Sequence, residues 1–216
     1  MKGLFDPESK LMYYGGKLWD MMWLNILVII CSLPIITLGP ALTAMHYVLL
    51  KIYRDEESGV TRLFFKSFRQ NFRQGVVIQC IGLLLGYLLF ISLKMFWAWS
   101  ADGMQLAFWI VVVVCVVVFC TWLWSLILLS RYTNTVLNTI KSALAACMVH
   151  PLRSLLMGAF FIVPGFVLLF TEKVFLFVLV LGFTGPGLLH TLWYDPIFKK
   201  LENVKDLSAD ETLEEA

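Results

Sequence analysis

The stretch that decides the fold is Met21–Leu50, which reads MMWLNILVIICSLPIITLGPALTAMHYVLL and contains no Asp, Glu, Lys or Arg. A helix needs about 20 apolar residues to cross the hydrocarbon core of a bilayer. The stretch is longer than one crossing requires. Pro34 removes a backbone donor, and Gly39-Pro40 forms a second break that suits the start of a new helix. The pattern therefore favours two helices, at about 18–34 and 39–55, with one kinked helix as the alternative.

The rest of the chain contains four more long apolar stretches that lack charged residues. They predict further spans at about 75–97, 104–130, 153–171 and 174–194. The chain is 60% hydrophobic and only 15% charged, with a mean hydropathy of +0.81, which excludes an ordinary soluble domain. Because lipid cannot satisfy free backbone polar groups, we expect helices. The sequence thus predicts an all-α, polytopic transmembrane bundle over residues 1–195, followed by an acidic cytoplasmic tail at 196–216.

The distribution of Lys and Arg predicts the orientation. Basic residues are enriched near spans on the cytoplasmic side of membrane proteins. With six spans and both ends inside, 15 of the 17 lysines and arginines lie in the cytoplasm. Five spans with an external N-terminus is the alternative, if the first stretch crosses once. We therefore expect a multi-pass protein of a bacterial cell membrane, with a cytoplasmic C-terminus and a cytoplasmic N-terminus.

The segment Arg62–Arg73, RLFFKSFRQNFR, has the pattern of a basic amphipathic helix. At 100° per residue one arc carries aromatic side chains, namely Phe64, Phe65, Phe68 and Phe72. The opposite arc carries positive charge, from Arg62, Lys66, Arg69 and Arg73. Such a helix suits the cytoplasmic headgroup layer, where it binds membrane lipids. The alternative is a docking surface for a cytoplasmic or membrane protein partner.

The break between the first two predicted helices is a second candidate element, comprising Pro34, Thr37, Gly39 and Pro40. Prolines and glycine release backbone groups that side chains, neighbouring helices or a cavity must satisfy. Broken helices of this kind form substrate sites in carriers. The alternative is a tight reversal between two helices.

A short internal echo links the two ends of the chain. Thr37–Leu42 resembles Phe183–Leu188, and each is followed by a histidine, His46 and His190. Either a structural repeat or chance similarity accounts for it. We interpret the histidines as packed neutral residues, with ligands as the alternative.

The sequence offers no motif for catalysis, a metal or a cofactor. It contains no HExxH, GxSxG, Walker A or GxGxxG pattern. The apolar stretches that predict the spans, at 21–50, 75–93, 103–130, 154–171 and 174–194, contain no Asp, Glu, Lys or Arg, whereas proton-coupled carriers use a buried carboxylate. We expect no enzyme, no catalytic, cofactor-binding or metal-binding residues, and no nucleic-acid partner.

The run Leu33–Ala44, LPIITLGPALTA, followed by the Phe-rich Phe64–Phe72, resembles the YesL-like family of bacterial membrane proteins. Trp23-Leu24-Asn25 fits the same pattern. The resemblance covers the first third of the chain. The family is a domain of unknown function whose genes often neighbour genes for carbohydrate uptake and catabolism. It implies an accessory or regulatory protein linked to carbohydrate uptake or metabolism, and the alternative is a small carrier or channel with a site at residues 34–40.

Overall fold

The computed structural model describes residues 10–56, 59–99, 105–132, 134–170 and 182–214. Within these ranges the protein is all-helical, and no strand occurs. The helices are α1 (Lys10–Ser32), a 3-10 turn (Ile35–Thr37), α2 (Leu38–Tyr53), α3 (Val60–Trp99), α4 (Gln105–Arg131), α5 (Val136–Val149), α6 (Pro151–Phe170) and α7 (Thr184–Glu214).

The first apolar stretch folds as two helices, as the prolines predict. α1 ends at Ser32, the chain reverses through the 3-10 turn, and α2 begins at Leu38. The chain from α1 to α2 is called the N-terminal hairpin below. A single kinked helix over this stretch does not form, because Pro34 and the turn after it separate α1 from α2.

α3 is one unbroken helix of 40 residues, which makes it about 60 Å long. It joins the predicted amphipathic segment and the predicted third span without a turn between them. Its first half packs against α2, where Gly39 and Pro40 meet Gly75. The indole of Trp23 in α1 donates a 2.8 Å hydrogen bond to the hydroxyl of Thr61 near the start of α3.

Beyond this contact, α3 continues as an antiparallel pair with the first half of α4. The rings of Trp97 and Phe108 lie 5.6 Å apart near the end of the pair. Outward-facing apolar side chains cover it, including Leu84, Leu88 and Val113. Apolar surface of this extent is expected to face lipid rather than water.

Three of the described helices are long and apolar enough to cross a membrane: Ile35–Tyr53, Val60–Ala98 and Gln105–Arg131. A fourth is reached if Val136–Val149 and Pro151–Ile162, which are bent by 106° at their junction, count as one broken span. The apolar helices indicate a membrane protein. Three or four candidate spans among the described residues do not confirm the six that the sequence predicts. Residues 174–181 of the last predicted span lie outside the described residues.

α7 crosses the boundary that the sequence places at residue 195. It runs from Thr184 through Pro196 into the acidic tail as one helix. Tyr194 and Phe198, on either side of the boundary, are both buried in the core. The start of the tail is therefore packed against the body of the protein.

Candidate functional site: a basic face, a helix break and a buried polar layer

The four basic side chains of the predicted amphipathic segment are all exposed on the first half of α3: Arg62, Lys66, Arg69 and Arg73. The opposite side of the same turns is buried through Leu63, Phe64 and Ser67. We call the exposed set the basic face. Because α3 is continuous, the charges stand on a rigid helix rather than on a separate surface helix.

The phenylalanines of this segment do not form one outward-facing surface. Phe64 is fully buried and stacks on Phe68, with ring centroids 5.9 Å apart. Phe65 and Phe72 remain exposed. Helix packing takes residues 60, 64 and 67 into the core, so the aromatic arc is divided between protein and surroundings. A helical-wheel count from the sequence cannot show this, because it assigns one environment to the whole apolar arc.

A small polar pocket of about 180 Å³ opens beside the basic face. Its polar lining comes from α2, α3 and the end of α4: Tyr47, Lys66, Ser67, Gln70, Asn71, Ser130, Arg131 and Tyr132. Two cations and several hydroxyl and amide groups in one concavity are suited to an anionic group such as a carboxylate or phosphate. The sequence names Lys66 but gives no signal that Arg131 lies near it.

At the helix break, side-chain hydroxyls satisfy the freed backbone groups. Thr37 Oγ1 lies 2.6 Å from the carbonyl oxygen of Cys31 and 2.7 Å from that of Pro34. Ser32 Oγ donates to the carbonyl of Ile29 at 3.0 Å. The backbone N–H of Thr37 donates to Pro34 O at 2.8 Å, which closes the turn. Side chains thus satisfy these carbonyl groups, which is one of the possibilities that the sequence left open.

Gly39 and Pro40 lie where α2 crosses α3. A Cβ on Gly39 would lie 2.9 Å from Gln79 Cβ, and a Cβ on Gly75 would lie 2.9 Å from Pro40 Cα. The two backbones therefore touch with no side chain between them. This geometry is that of a packed reversal. The proposal of a substrate site at Pro34, Thr37, Gly39 and Pro40 remains a prediction.

Polar side chains of α2 and α7 form a buried layer that joins the two helices: His46, His190, Thr191 and Tyr194. In the sequence, the similarity of Thr37–Leu42 to Phe183–Leu188 is the only signal for it. The imidazole rings of His46 and His190 stack 5.8 Å apart at an interplanar angle of 13°. His190 Nε2 lies 3.0 Å from the carbonyl oxygen of Met157 in α6. Tyr194 OH lies 3.0 Å from Thr191 Oγ1 and donates weakly to His46 O at 3.4 Å.

The layer has little capacity to hold a metal on its own. Structural and catalytic metal sites use three or more protein ligands. Across the described residues no group of three or more His, Cys, Asp or Glu side chains is arranged to hold an ion. The Nδ1 atoms of His46 and His190 have no hydrogen-bond partner in the described part of the chain. What the structure shows for the two histidines is the stacking of their rings between α2 and α7.

Two further contacts fix α7 in the fold. Asn25 Oδ1 in α1 accepts hydrogen bonds from the backbone N–H groups of Phe183, at 2.9 Å, and Thr184, at 3.3 Å. The first N–H groups of a helix have no hydrogen-bond acceptor within the helix, and a side-chain oxygen commonly accepts from them. Farther along, Arg54 Nε and Nη2 each lie 2.7 Å from Asp195 Oδ1. The asparagine in the first predicted span thus has a capping role that the sequence did not reveal.

The connection after α2 is held to α1 by charge. Lys17 Nζ lies 2.7 Å from Asp55 Oδ1, and the Tyr13 hydroxyl donates to the same carboxyl oxygen. The hydrogen bonds from Lys17 and then from Tyr13 lower the pKa of the Asp55 carboxyl below its usual value. Asp55 has a backbone φ of 56°, in the left-handed region, which marks a tight turn.

Comparison with known proteins gives a family match over part of the chain. Residues 21–93 match the family described as "Protein of unknown function, DUF624". The segment includes the N-terminal hairpin from Met21 onward, the basic face and most of α3. No curated protein and no solved structure matches the chain. The match therefore supports a domain of unknown function over the first third of the protein.

Proposed function

We propose that this protein is an accessory or regulatory membrane protein that binds a partner through the basic face of α3. The observation that carries the proposal is the exposure of Arg62, Lys66, Arg69 and Arg73 on a helix that continues into a lipid-facing segment. A continuous helix holds the charges at fixed spacing relative to the membrane. Fixed cations beside a polar pocket suit the carboxylates of an acidic protein segment and, at the membrane surface, anionic lipid headgroups.

The proposed location is a bacterial cell membrane, with the basic face and both chain ends in the cytoplasm. The excess of Lys and Arg in the same connections supports this orientation. An even number of crossings is needed. Six spans, as the sequence predicts, meet that need, and four meet it if the N-terminal hairpin does not cross.

We propose in addition that the chain is a YesL-like protein with a link to carbohydrate uptake or metabolism. The residues that carry this resemblance, Leu33–Ala44 and Phe64–Phe72, both lie inside the matched segment 21–93. The carbohydrate link rests on the resemblance alone. We propose no catalytic role and no nucleic-acid partner, because the sequence supplies no motif for either.

A small carrier with a site at residues 34–40 is the second candidate, and the broken helix is the observation that favours it. Reconstituted vesicles separate the two. An accessory protein leaves the uptake of labelled mono- and disaccharides equal to that of protein-free vesicles. Saturable uptake that disappears in a Thr37→Val variant would establish the carrier instead.

A photo-crosslinking amino acid at Gln70, which lines the polar pocket, tests the proposed partner surface directly. In cells grown on carbohydrate we expect a discrete protein adduct. Replacing Arg62, Lys66, Arg69 and Arg73 by Gln should reduce that adduct at least tenfold at equal abundance. The matched control is Lys94→Gln, which removes an exposed cation from the far end of the same helix. Adducts to lipid alone, or an adduct unaffected by the four substitutions, would contradict the proposal.

A further inference from the structure

α2 of the N-terminal hairpin runs beside the first half of α3, which carries the basic face, and the start of α2 reaches the beginning of the uncharged segment. Gly39 at the start of α2 contacts Gly75, and Tyr47 lines one pocket with Lys66 and Asn71. The two contacts fix an antiparallel register between α2 and α3. Whatever depth α2 occupies, the first half of α3 therefore occupies the same depth.

The charges on α3 fix that depth. The basic face ends at Arg73, and the next charged residue along the helix is Lys94, which is also exposed. The 20 residues between them rise about 30 Å, which equals the thickness of the hydrocarbon core. If α2 crossed the bilayer, the exposed basic face would lie at the same depth within the lipid, where ionised side chains are strongly disfavoured.

Burial agrees with this placement. In the apolar window of Ile35–Tyr53, 67% of the residues are buried inside the protein, against 11% in each of the windows of α3 and α4. The apolar side chains of α2 therefore face other helices. Those of α3 and α4 beyond the crossing point face outward, as lipid-facing helices do.

We infer that the N-terminal hairpin is a re-entrant element that dips into the membrane from the side of the basic face and does not cross it. Its tip consists of Leu33, Ile35 and Ile36, exposed by 76%, 66% and 52%. Leu38, next to the tip, lines a groove with Gln79 and Gly82 of α3, about two turns into the uncharged segment. The ligand of the tip is thus the acyl-chain region of the leaflet on the basic side.

The tip is built for an apolar surrounding. Its exposed side chains are aliphatic, and Thr37 accounts for two carbonyl groups at the reversal, those of Cys31 and Pro34. Irregular backbone is tolerated in a membrane when its polar groups are satisfied within the protein. A loop emerging into water on the far side would have no need of three exposed aliphatic residues.

The number of crossings by the hairpin is then zero instead of two, and both numbers are even. The N-terminus lies on the same side in either case, so a reporter fused ahead of Met1 reads the same for both. The position of the tip is what distinguishes them. The hairpin lies at the same depth whichever side of the membrane carries the basic face.

The test is sided labelling of Leu33→Cys and Ile35→Cys, each added singly to the protein with its five native cysteines and resolved by peptide mass spectrometry. An impermeant maleimide is applied to intact cells. Trp97→Cys, at the opposite end of α3, is the external control, and Ser58→Cys, in the connection before α3, is the internal one. We expect each tip cysteine to react at least ten times more slowly than Trp97→Cys, and to react fully once the protein is denatured in detergent.

A nitroxide on Leu33→Cys gives a second measurement in purified, reconstituted protein. Greater accessibility to oxygen than to a water-soluble nickel chelate supports a tip in acyl chains. External labelling of either tip cysteine at more than a tenth of the Trp97→Cys rate, or a preference for the nickel chelate, overturns the inference. External labelling of Ser58→Cys instead contradicts only the proposed orientation, so the two failures are distinguishable.

Discussion

Replacing Gly75 by Ala should destabilise the protein, although alanine is the better helix former. A Cβ at this position would lie 2.9 Å from both Cα and N of Pro40 and 3.1 Å from its Cβ. Ordinary van der Waals contacts of a Cβ lie at 3.4–4 Å, so α2 would have to move away by about half an ångström. Inserting a methyl group into a packed contact costs about 1–3 kcal/mol. The gain in helix propensity is only about 1 kcal/mol.

Gly86→Ala is the matched control, because Gly86 lies in the same helix and a Cβ added there would meet no atom within 4 Å. It should gain propensity without the clash. The difference between the two variants isolates the packing term, about 2 kcal/mol, which corresponds to about 4–8 °C in Tm for a chain of this size. Thermal unfolding of the purified variants in one detergent measures it. Equal Tm values for the two variants would refute the close crossing of α2 and α3 on which the hairpin register depends.

Asp195→Ala should lower the free energy of unfolding by about 3–5 kcal/mol, because it removes the buried carboxylate that faces the largely buried Arg54. Lys199→Ala removes the exposed partner of the same carboxylate and should lower it by less than about 1 kcal/mol. Similar losses for both variants would contradict the buried ion pair. The contact between Asp55 and Lys17 should weaken in acid. Since folding lowers the pKa of Asp55, its contribution is present above the ordinary carboxyl pKa of 3.8 and is lost as the pH falls through the lower folded-state value. The hydrogen-exchange protection factors of amides in the first turns of α1, which are corrected for the intrinsic exchange rate at each pH, should therefore fall below about pH 4, and Asp55→Asn should remove that pH dependence. The predicted orientation places Glu172, in the connection between the predicted spans 153–171 and 174–194, outside the cell. Glu172→Cys should therefore react with an impermeant thiol reagent from outside, and its protection would contradict the orientation.

Several features of the fold could be predicted from the sequence because they depend on local chemistry. Pro34 and Gly39-Pro40 end one helix and start the next wherever the segment sits, since a missing donor and a fixed φ act within one turn. The exposure of Arg62, Lys66, Arg69 and Arg73 follows from the cost of burying an unpaired cation. Long apolar stretches likewise predict helices in lipid whatever their neighbours are.

The candidate site was less predictable. Nothing near Asp195 in the sequence indicates that it pairs with Arg54, which is 141 positions away. Asn25 could be recognised as a polar residue in an apolar helix, but not as the cap of a helix that starts at Thr184. Contacts of this kind depend on which helices become neighbours, and a single sequence contains no record of that choice.

By itself the sequence determined that this protein is helical and belongs in a membrane, and it favoured a break in the first apolar stretch, because backbone hydrogen bonding, hydrophobicity and proline geometry act locally. It could not determine whether that stretch crosses the bilayer, since apolar side chains look the same whether they face lipid or other helices. What only the tertiary structure decided is which helices bury their apolar residues: those of α2 are largely buried against neighbouring helices, while those of α3 and α4 face outward. The physical reason is that hydrophobic burial depends on the apolar area removed from water and not on what covers it.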